Sequence, residues 1–555
     1  MVRRKLWSRD RTPGPWPLVA ERLAGVSAPR IALLVRDDET AVVDRLRTIA
    51  PAAELGIHRL PLPPDELRTR LAAGGPYDLL ADLAGEPGLR RRFAATVWHL
   101  RRGGSAVARL ADSSQGPGRA FFERLAADRA DPASARPRPS PGLRPRHRRA
   151  LLKALGSLEV EADWVTARLD TGALPKIGPD QAAAFLVADP SVGSTLTTVP
   201  GETWRVTSAV TTSRPLPRND LPASYDAAPA ALHDYRDAVV MPGRASWVET
   251  GVLPESFRFQ RRSTLRNAEL REVAPHFVQR PAEPEERLAG VWFNLTSPLP
   301  HHFGHTLTEQ LSHAWGWAEA RRRHPDLRAL VATKPNRRLA GWELELLAAA
   351  GVPADLVTEV THPVRVERLL DTTAMYEIGG FVHPAMRGVY DEVGDALAAR
   401  ATSTDRPARV FHTRRSAKRR CRNQAEVEAM FAEAGFAIVA PEDSPLPDQV
   451  ARVRGAEVVA GFAGSGMFHV ALAGRPQHVI VITQEGYPAH NEYQLSALLG
   501  HRLDIAVCPP DVPRTEPGYQ RSAFHSDYVV DPGTEGAYLR ALLAELPSIP
   551  TGGPR

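Results

Sequence analysis

One stretch of the chain, residues 409–474, constrains the fold more than any other part of the 555-residue sequence. Short β-prone runs alternate in it with segments whose apolar residues recur at helical spacing, such as Val427, Met430 and Phe431. The last β-prone run, 457–460, leads into a glycine turn, 461–466, which opens a further helix. Strands that alternate with helices in this order predict a parallel α/β sheet.

Two turns of this stretch indicate a site for phosphate. The glycines let the backbone approach a ligand, and a helix that begins there directs N–H groups and the positive end of its dipole at an anion. The turn after the first strand is basic and contains Arg414, Arg415, Lys418, Arg419, Arg420 and Arg422. Ligands of open α/β sheets bind at the carboxyl ends of the strands, so both turns are predicted at one nucleotide or sugar-nucleotide site. Each turn taken alone has a simpler interpretation, as packing for the glycines and as a solvated face for the arginines.

The stretch resembles the carboxyl half of the family 61 glycosyltransferases. The residues that carry this resemblance are Arg414, Arg415, Asn423, Gln449, the turn Gly464-Ser465-Gly466, and His469. Upstream, His302-Phe-Gly-His305-Thr-Leu-Thr-Glu309 is similar to the family's aromatic–His–x3–Glu segment before an apolar helix. The resemblance covers about residues 235–546. The chain departs from the pattern at Ala463, where many relatives have His, and at Gln424, where many have Glu.

The resemblance implies the α/β architecture called GT-B, in which two Rossmann-like halves face each other across a cleft. Residues 231–405 would form the acceptor-side half and 406–555 the nucleotide-sugar half. It further implies an inverting hexosyl- or pentosyltransferase that moves a sugar from a nucleotide sugar to a hydroxyl of a glycan or polysaccharide precursor. The donor-binding residues that it implies are Arg414, Arg415, Arg420, Asn423, Gln449, Gly464, Ser465, Gly466 and His469. No metal or other cofactor is expected, because arginines and a helix dipole take the place of a divalent ion.

The upstream histidine segment supplies candidate catalytic residues. His305 and Glu309 are four residues apart, so on a helix they share one face, with Leu307, Leu311 and Ala314 on the buried stripe. A neutral imidazole there could take the proton of an acceptor hydroxyl while the carboxylate orients it. This face could instead be merely solvated. In another interpretation a metal-dependent hydrolase uses the cluster His301, His302, His305, Glu309 and His313, although the zincin spacing is absent. The departures at Ala463 and Gln424 also leave open a non-catalytic nucleotide- or glycan-binding homologue.

The amino-terminal part is predicted to be a separate Rossmann-like domain over residues 1–125. The strand 77–82, the helix after it and the strand 106–110 resemble the latter half of class I methyltransferases. The turn after Val35 is Arg36-Asp-Asp-Glu-Thr40 instead of a glycine-rich cofactor loop. Without the glycines, and with acidic side chains that repel phosphate, this domain is predicted to bind no S-adenosylmethionine and to recognise an acceptor or partner. Residues 126–230 are rich in Pro and Arg and are predicted to be a linker followed by an irregular segment.

Composition excludes several classes of protein. A net charge of +6 over 555 residues is too small to indicate a nucleic-acid partner. The two cysteines, Cys421 and Cys508, exclude a disulfide framework. No apolar run approaches the ~18 residues of a membrane span, and no signal peptide is recognisable, so a cytoplasmic location is expected. Only five of the 70 basic residues are lysine, which is typical of a GC-rich bacterial genome.

Overall fold

The computed structural model describes residues 16–36, 40–110, 116–131, 143–216, 221–259, 265–416, 418–516 and 519–547. Two sequence features lie mostly outside these ranges. Residues 37–39 of the acidic turn after Val35 are not described, and neither are residues 132–142 of the proline-rich run.

Strands occur along the whole described chain. Their bounds are β1 Arg30–Val35, β2 Glu54–Arg59, β3 Tyr77–Asp82, β4 Leu100–Arg109, β5 Leu155–Val160, β6 Trp164–Leu169, β7 Ala173–Pro175, β8 Gly193–Val199, β9 Glu202–Arg205, β10 Val210–Thr212, β11 Ser224–Ala227, β12 Ala230–Met241, β13 Ala245–Val248, β14 Gly251–Val252, β15 Glu272–Ala274, β16 Phe277–Gln279, β17 Glu286–Asn294, β18 Arg328–Ala332, β19 Val357–Val360, β20 Val364–Thr372, β21 Tyr376–Glu377, β22 Phe381–Val382, β23 Arg409–His412, β24 Ala437–Val439, β25 Val458–Phe462, β26 His478–Gln484 and β27 Arg502–Cys508.

Helices separate many of these strands. The α-helices are α1 Trp16–Leu23, α2 Thr40–Ile49, α3 Pro64–Gly74, α4 Leu89–Thr96, α5 Pro117–Ala130, α6 Pro145–Ala154, α7 Pro179–Ala188, α8 Phe303–His305, α9 Trp317–Arg323, α10 Gly341–Ala349, α11 Met386–Ala398, α12 Gln424–Glu433, α13 Leu446–Gly455, α14 His490–Leu499, α15 Arg521–Phe524 and α16 Glu535–Ala544. Thr306–Gln310 is a π-helix, and the 3₁₀-helices are Val97–His99, Pro254–Ser256, Leu311–Gly316, Ala354–Leu356, Pro441–Asp443 and Ser465–Leu472. None of the described helices combines the length and the apolar character that a membrane span requires.

The chain divides into two compact units, which are described separately. The first contains the described residues up to Ser194 together with Tyr235–Val239 and Ala245–Arg287. The second contains Thr195–Asp234, Val240–Arg244 and the residues from Leu288 onward. The sequence places residues 143–194 in the linker segment and 245–287 in the acceptor-side half, whereas both lie in the first unit.

The first unit is built on a sheet with the strand order β2-β1-β3-β4-β6-β5. Its first four strands are parallel, and β6 runs antiparallel to both β4 and β5. The apolar runs of β1 and β3 are almost wholly buried, as expected for parallel strands covered on both faces. The strands predicted over 77–82 and 106–110 are present as β3 and the end of β4, but the irregular segment predicted over 126–230 is wrong for β5 and β6. The prolines near these strands, such as Pro145 and Pro179, begin helices and interrupt no element.

The second unit contains a parallel sheet with the order β10-β27-β26-β25-β23-β24. From β23 the chain steps outward to β24 and then returns across β23 to β25. The strand order therefore reverses between β23 and β25, where open α/β sheets bind ligands. In the same unit β20, β17, β18 and β19 are neighbours in another sheet, with β17, β18 and β19 parallel. The predicted mixed α/β fold is confirmed, and the strand–helix order predicted for 409–474 holds as far as the glycine turn.

Both faces of the second unit's six-stranded sheet, which contains β23 and β25, are covered by apolar side chains. Val410 and Val459 belong to one buried cluster, which also contains Val453 of α13. The residues that follow them, Phe411 and Ala460, belong to a different cluster. Because successive side chains of a strand point to opposite faces, this alternation fixes the register. It also holds the carboxyl ends of β23 and β25 rigidly side by side.

Candidate active site

The glycine turn follows β25 at the point where the strand order reverses. The N–H of Ala463 donates to the carbonyl of Ile482 at 2.8 Å, so the turn is tied to the neighbouring strand. Gly464 has φ 136°, and a Cβ placed on it would lie 2.5 Å from Nη1 of Arg414. Only glycine tolerates both conditions. The helix that follows, Ser465–Leu472, is a 3₁₀-helix.

Two arginines of the basic turn reach the glycine turn. Arg414 donates from Nη1 to the carbonyl of Ala463. The guanidinium of Arg419 lies over the ring of Tyr487, with Cζ 4.0 Å from the centroid, and its Nη2 is 3.3 Å from the Cβ position of Gly464. Burial, and then the neighbouring Arg419, lower the pKa of Arg414. The Nε atoms of both arginines are buried and have no hydrogen-bond partner among the described residues. Buried donors left unpaired in this way are unusual and suit an anionic ligand.

Glu492 in α14 completes the turn, and sequence reasoning missed it. Its Oε1 accepts the N–H of Gly464 at 2.7 Å, so this amide, predicted to be free for phosphate, is occupied. Burial raises the pKa of Glu492 to about 6, although the N–H of Gly464 and the charges of Arg419 and Arg414 oppose the shift. Its Oε2 is buried and unpaired among the described residues. A lone Glu in an otherwise unremarkable helix, 28 residues from the glycine it binds, gives no motif to detect.

The other predicted arginines lie in ion pairs that do not involve the glycine turn. Arg415, next to Arg414 in sequence, is exposed and forms a bidentate pair with Asp443. Arg420 is also exposed and donates to Asp527, with Nε and Nη2 at 3.0 and 2.9 Å from Oδ2. The structure therefore does not bring Arg415 or Arg420 to the turn.

The two predicted site residues with amide side chains, Asn423 and Gln449, form hydrogen bonds with backbone groups. Asn423 accepts the N–H of Val530 with Oδ1 and donates from Nδ2 to the Val530 carbonyl, each at 3.0 Å. Gln449 donates to the carbonyl of Ser444 at 2.6 Å. Both residues hold neighbouring segments of the second unit in place. These hydrogen bonds are made to segments other than the glycine turn.

His469 is brought to the turn, together with His412, which the sequence did not single out. The Nδ1 atoms of His469 and His412 lie 2.9 and 2.7 Å from the carbonyl oxygen of Gly466. A carbonyl only accepts, so Nδ1 carries the proton in each ring. Burial lowers the pKa of His469 to about 4 and, with His469 beside it, that of His412 to about 3, so both are neutral at pH 7. The Nε2 of His469 is buried without a partner among the described residues.

The histidine segment packs directly on the glycine turn. A Cβ on Gly304 would lie 2.8 Å from Oγ of Ser465 and 2.8 Å from the ring of Phe468, so the absent side chain permits the contact. Next to it, Phe303 stacks on His469 with the ring centroids 4.6 Å apart and the planes at 22°. The two motifs, which lie far apart in the sequence, thus meet at Ser465.

His305 and Glu309 form the contact that their spacing predicts. Nδ1 of His305 forms a short hydrogen bond with Oε2 of Glu309. Glu309 is only 5% exposed, whereas the side chain of His305 is 21% exposed. The ring of His302 lies 4.4 Å from that of His305, centroid to centroid. Burial, and then His305, lower the pKa of His302 to about 4. Solvent can therefore reach the pair at His305, while Glu309 is held in the protein interior.

The helix that carries this pair differs from the amphipathic α-helix predicted. Residues 306–310 form a π-turn, a feature often found at functional sites, and residues 311–316 form a 3₁₀-helix. Residues 306–314 are all buried, so the alternative interpretation of this segment as a solvated helix face is wrong. Two of its polar side chains donate to backbone carbonyls, Thr308 to that of Gly304 and Gln310 to that of Leu295.

The histidines of this segment have separate partners. His301 lies 3.0 Å from Oε2 of Glu343, and Nδ1 of His313 lies 2.6 Å from the carbonyl oxygen of Thr372. Across the described ranges, no three His, Cys, Asp or Glu side chains are arranged to hold a metal ion. The metal cluster that the sequence spacing allows is therefore not formed by His301, His305, Glu309 and His313.

Residues 303–481 match the model of the family described as Glycosyltransferase 61. The matched segment begins at the histidine segment and includes the basic turn and the glycine turn. The chain thus carries a glycosyltransferase domain over these residues. That domain belongs to family 61, and the predicted resemblance is confirmed.

Other comparisons add little. No curated protein matches the chain. Among solved structures, the MycE methyltransferase from the mycinamycin biosynthetic pathway, in complex with Mg, SAH and mycinamycin VI, is similar at 17% identity and a TM-score of 0.21. The match covers 28% of this chain and 45% of that one, so the chain spans less than half of its length. A TM-score this low does not define a shared fold.

Proposed function

We propose that the chain is an inverting glycosyltransferase that moves a sugar from a nucleotide-sugar donor to a hydroxyl of a glycan or polysaccharide precursor. The observation that carries this proposal is the contact between the histidine segment and the glycine turn at Gly304 and Ser465. It puts a candidate base beside a candidate diphosphate site, which is what sugar transfer needs.

The donor side is assigned to Arg414, Arg419 and the glycine turn. When the bond between the anomeric carbon and the phosphate oxygen breaks, the diphosphate gains negative charge. The half-buried side chains of Arg414 and Arg419, whose Nε donors are buried and unpaired among the described residues, are suited to stabilise that charge. No divalent ion is needed in this scheme, since two cations already face the leaving group.

The protonation state of Glu492 affects how well the donor side can bind a diphosphate. A carboxylate next to the incoming diphosphate would repel it, whereas the protonated acid would not. Because burial raises the pKa of Glu492 to about 6, protonation at neutral pH costs little. Donor binding is therefore expected to draw a proton onto Glu492.

The acceptor side is assigned to His305 and Glu309. An ionised Glu309 only accepts hydrogen bonds, so Nδ1 of His305 carries the proton and Nε2 acts as the base. Nε2 takes the acceptor hydroxyl's proton as its oxygen attacks the anomeric carbon. The carbon–oxygen bond to the diphosphate breaks on the opposite face, and the configuration inverts. Glu309 stabilises the imidazolium that forms, as a carboxylate does beside a catalytic histidine.

We further propose a GT-B arrangement with residues 231–405 as the acceptor-side half and 406–555 as the nucleotide-sugar half. The parallel sheets built on β17–β19 and on β23–β27 support it. Residues 1–125 are proposed to be a degenerate methyltransferase-like domain. Its sheet, with parallel β1 to β4, supports a Rossmann-like origin.

A nucleotide-sugar screen tests the function. Thermal shift of the purified protein against UDP-, GDP-, dTDP- and CMP-sugars identifies the donor, and NMR of the product made with it reports the anomeric configuration. A donor that binds and is transferred with inversion supports the proposal. Retention would remove the mechanism, and tight binding without hydrolysis or transfer would favour the non-catalytic homologue.

A further inference from the structure

The first compact unit contains a cavity of about 830 Å³ that the sugar-transfer chemistry does not use. It lies at the carboxyl ends of the parallel strands, since Arg36 directly follows β1 and Leu60 directly follows β2. The strand order reverses between β1 and β3, and ligands of open α/β sheets bind at such a reversal. The volume is within the ~300–1,000 Å³ of small-molecule sites.

The wall of this cavity is mostly apolar. Apolar lining residues include Leu60 and Leu62 after β2, Leu67 of α3, Ala94 of α4, and Ala274 and Phe277 of the β15–β16 hairpin. A wall of this kind favours a hydrophobic ligand body, because apolar area removed from water stabilises the complex.

Two polar atoms in the wall lack partners among the described residues. His99 is only 3% exposed, and its Nε2 has no hydrogen-bond partner there. Nε of Arg68 is likewise buried and unpaired, although Nη2 of the same guanidinium donates to Asp65 at 2.8 Å. Both side chains line the same cavity, and burial, followed by the charge of Arg68, lowers the pKa of His99 to about 3. Unpaired buried donors such as the Arg68 Nε are rare unless a ligand satisfies them.

The charge of the lining has one sign. Arg36, Arg68, Arg91 and Arg92 line the cavity, and no Asp or Glu is among its described lining residues. Two of these arginines are paired with carboxylates: Nε of Arg92 donates to the buried Asp82 at 2.8 Å, and Nη2 of Arg68 donates to the exposed Asp65 at 2.8 Å. No carboxylate in the described part of the chain forms an ion pair with Arg36 or Arg91. The cavity therefore favours an anion.

We infer that this cavity binds a hydrophobic organic anion, with its carboxylate at Arg68 and His99 and its apolar body against α4 and the β15–β16 hairpin. The site is independent of the glycine turn and of sugar transfer. The first unit would therefore bind a ligand separate from the sugar donor and acceptor. The apolar and arginine side chains that line the cavity favour a ligand that is both apolar and anionic.

Calorimetry on the full-length protein tests the inference with three probes. Decanoate and 2-naphthoate present the same head group on a chain and on a ring, and decyltrimethylammonium reverses the charge. At least one anion is expected to bind at one site, and the cation at least about tenfold more weakly. The tighter anion shows whether the natural body is a chain or a ring. Equal binding of the cation, or no saturable binding of either anion, would overturn the inference.

Variants place the binding in the cavity. Arg68→Gln removes the unpaired Nε donor and should weaken the anion about tenfold or more. Arg70→Gln is its matched control, because Arg70 lies on the same helix, pairs with Glu66 and is not part of the lining. Ala95→Trp fills the cavity from an exposed helix position and should abolish binding. If either Arg68→Gln or Ala95→Trp, folded as judged by its melting curve, binds the anion like the wild type, the inference is wrong.

Discussion

Arg414 and Arg415 are adjacent arginines that sequence reasoning treats as equivalent, and the structure separates them. Arg414 is half-buried beside Gly464, whereas Arg415 is exposed and paired with Asp443. We therefore expect Arg414→Ala to weaken the binding of the donor's nucleoside diphosphate and Arg415→Ala to leave it nearly unchanged. The two variants remove the same side chain from neighbouring positions, so each is a control for the other.

The size of the effect follows from the hydrogen bond that the Arg414 guanidinium would donate to the diphosphate. A hydrogen bond to a charged group contributes ~1.5–3 kcal/mol, and about 1.4 kcal/mol is a factor of ten in Kd. Arg414→Ala should therefore raise the Kd by about 10- to 150-fold. Arg414→Lys keeps the charge but loses the planar fork, so an intermediate Kd is expected.

Isothermal titration calorimetry with the donor's diphosphate measures all three variants at one salt concentration. Melting curves check that Arg414→Ala still folds, because Arg414 also donates to the Ala463 carbonyl. Equal losses of affinity for Arg414→Ala and Arg415→Ala, or a larger loss for Arg415→Ala, would refute the assignment of the diphosphate site to the buried side of the basic turn.

Three further outcomes are expected. Glu309→Gln should lower kcat by ~10²–10⁴ with the nucleotide Kd unchanged, and an unchanged kcat in steady-state kinetics would remove Glu309 from catalysis. Gly304→Ala should lower the free energy of unfolding by ~1–3 kcal/mol in denaturant melts, because its Cβ would strike Ser465, while Gly388→Ala, a helix position with open space, should not destabilise. Burial raises the pKa of Glu492 to about 6, so its stability contribution is greatest below about 4.5 and is lost as pH rises through 6. Glu492→Gln should therefore gain stability relative to wild type across that range, and parallel pH–stability curves would contradict the shift.

The strands and helices of residues 409–474 could be predicted because parallel strands buried on both faces appear as short apolar runs. The clusters around Val410 and Phe411 show both faces in use. The same logic fails for residues 306–314, where polar side chains are buried against backbone acceptors. Thr308 and Gln310 donate to the carbonyls of Gly304 and Leu295, so a polar residue in this segment does not indicate a solvent-exposed face. The sequence pattern shows only which residues are polar. In this segment the polar residues are buried, so the pattern does not predict which face of the helix is exposed to solvent.

The site itself was predictable only in part, for a different physical reason. Motifs locate turns, but which side chain of a turn faces the ligand depends on backbone dihedrals. Arg419, at φ 54°, directs its guanidinium back to Gly464, while Arg415 and Arg420 point to Asp443 and Asp527. Glu492 reaches the turn from another strand–helix unit, and only the assembled sheet brings it there.

The two departures from the family pattern take on a different meaning once these contacts are known. At position 463 the main chain is what the site uses, because the Ala463 carbonyl accepts from Arg414 and its N–H donates to Ile482. Gln424 donates from Nε2 to Thr413 at 2.8 Å and to Glu428 at 2.6 Å, which closes the end of β23 onto α12. Neither substitution removes a group from the cluster of Arg414, Arg419 and Glu492. A histidine or glutamate at these positions is thus not required to build the proposed anion site, and the departures by themselves are no argument against turnover.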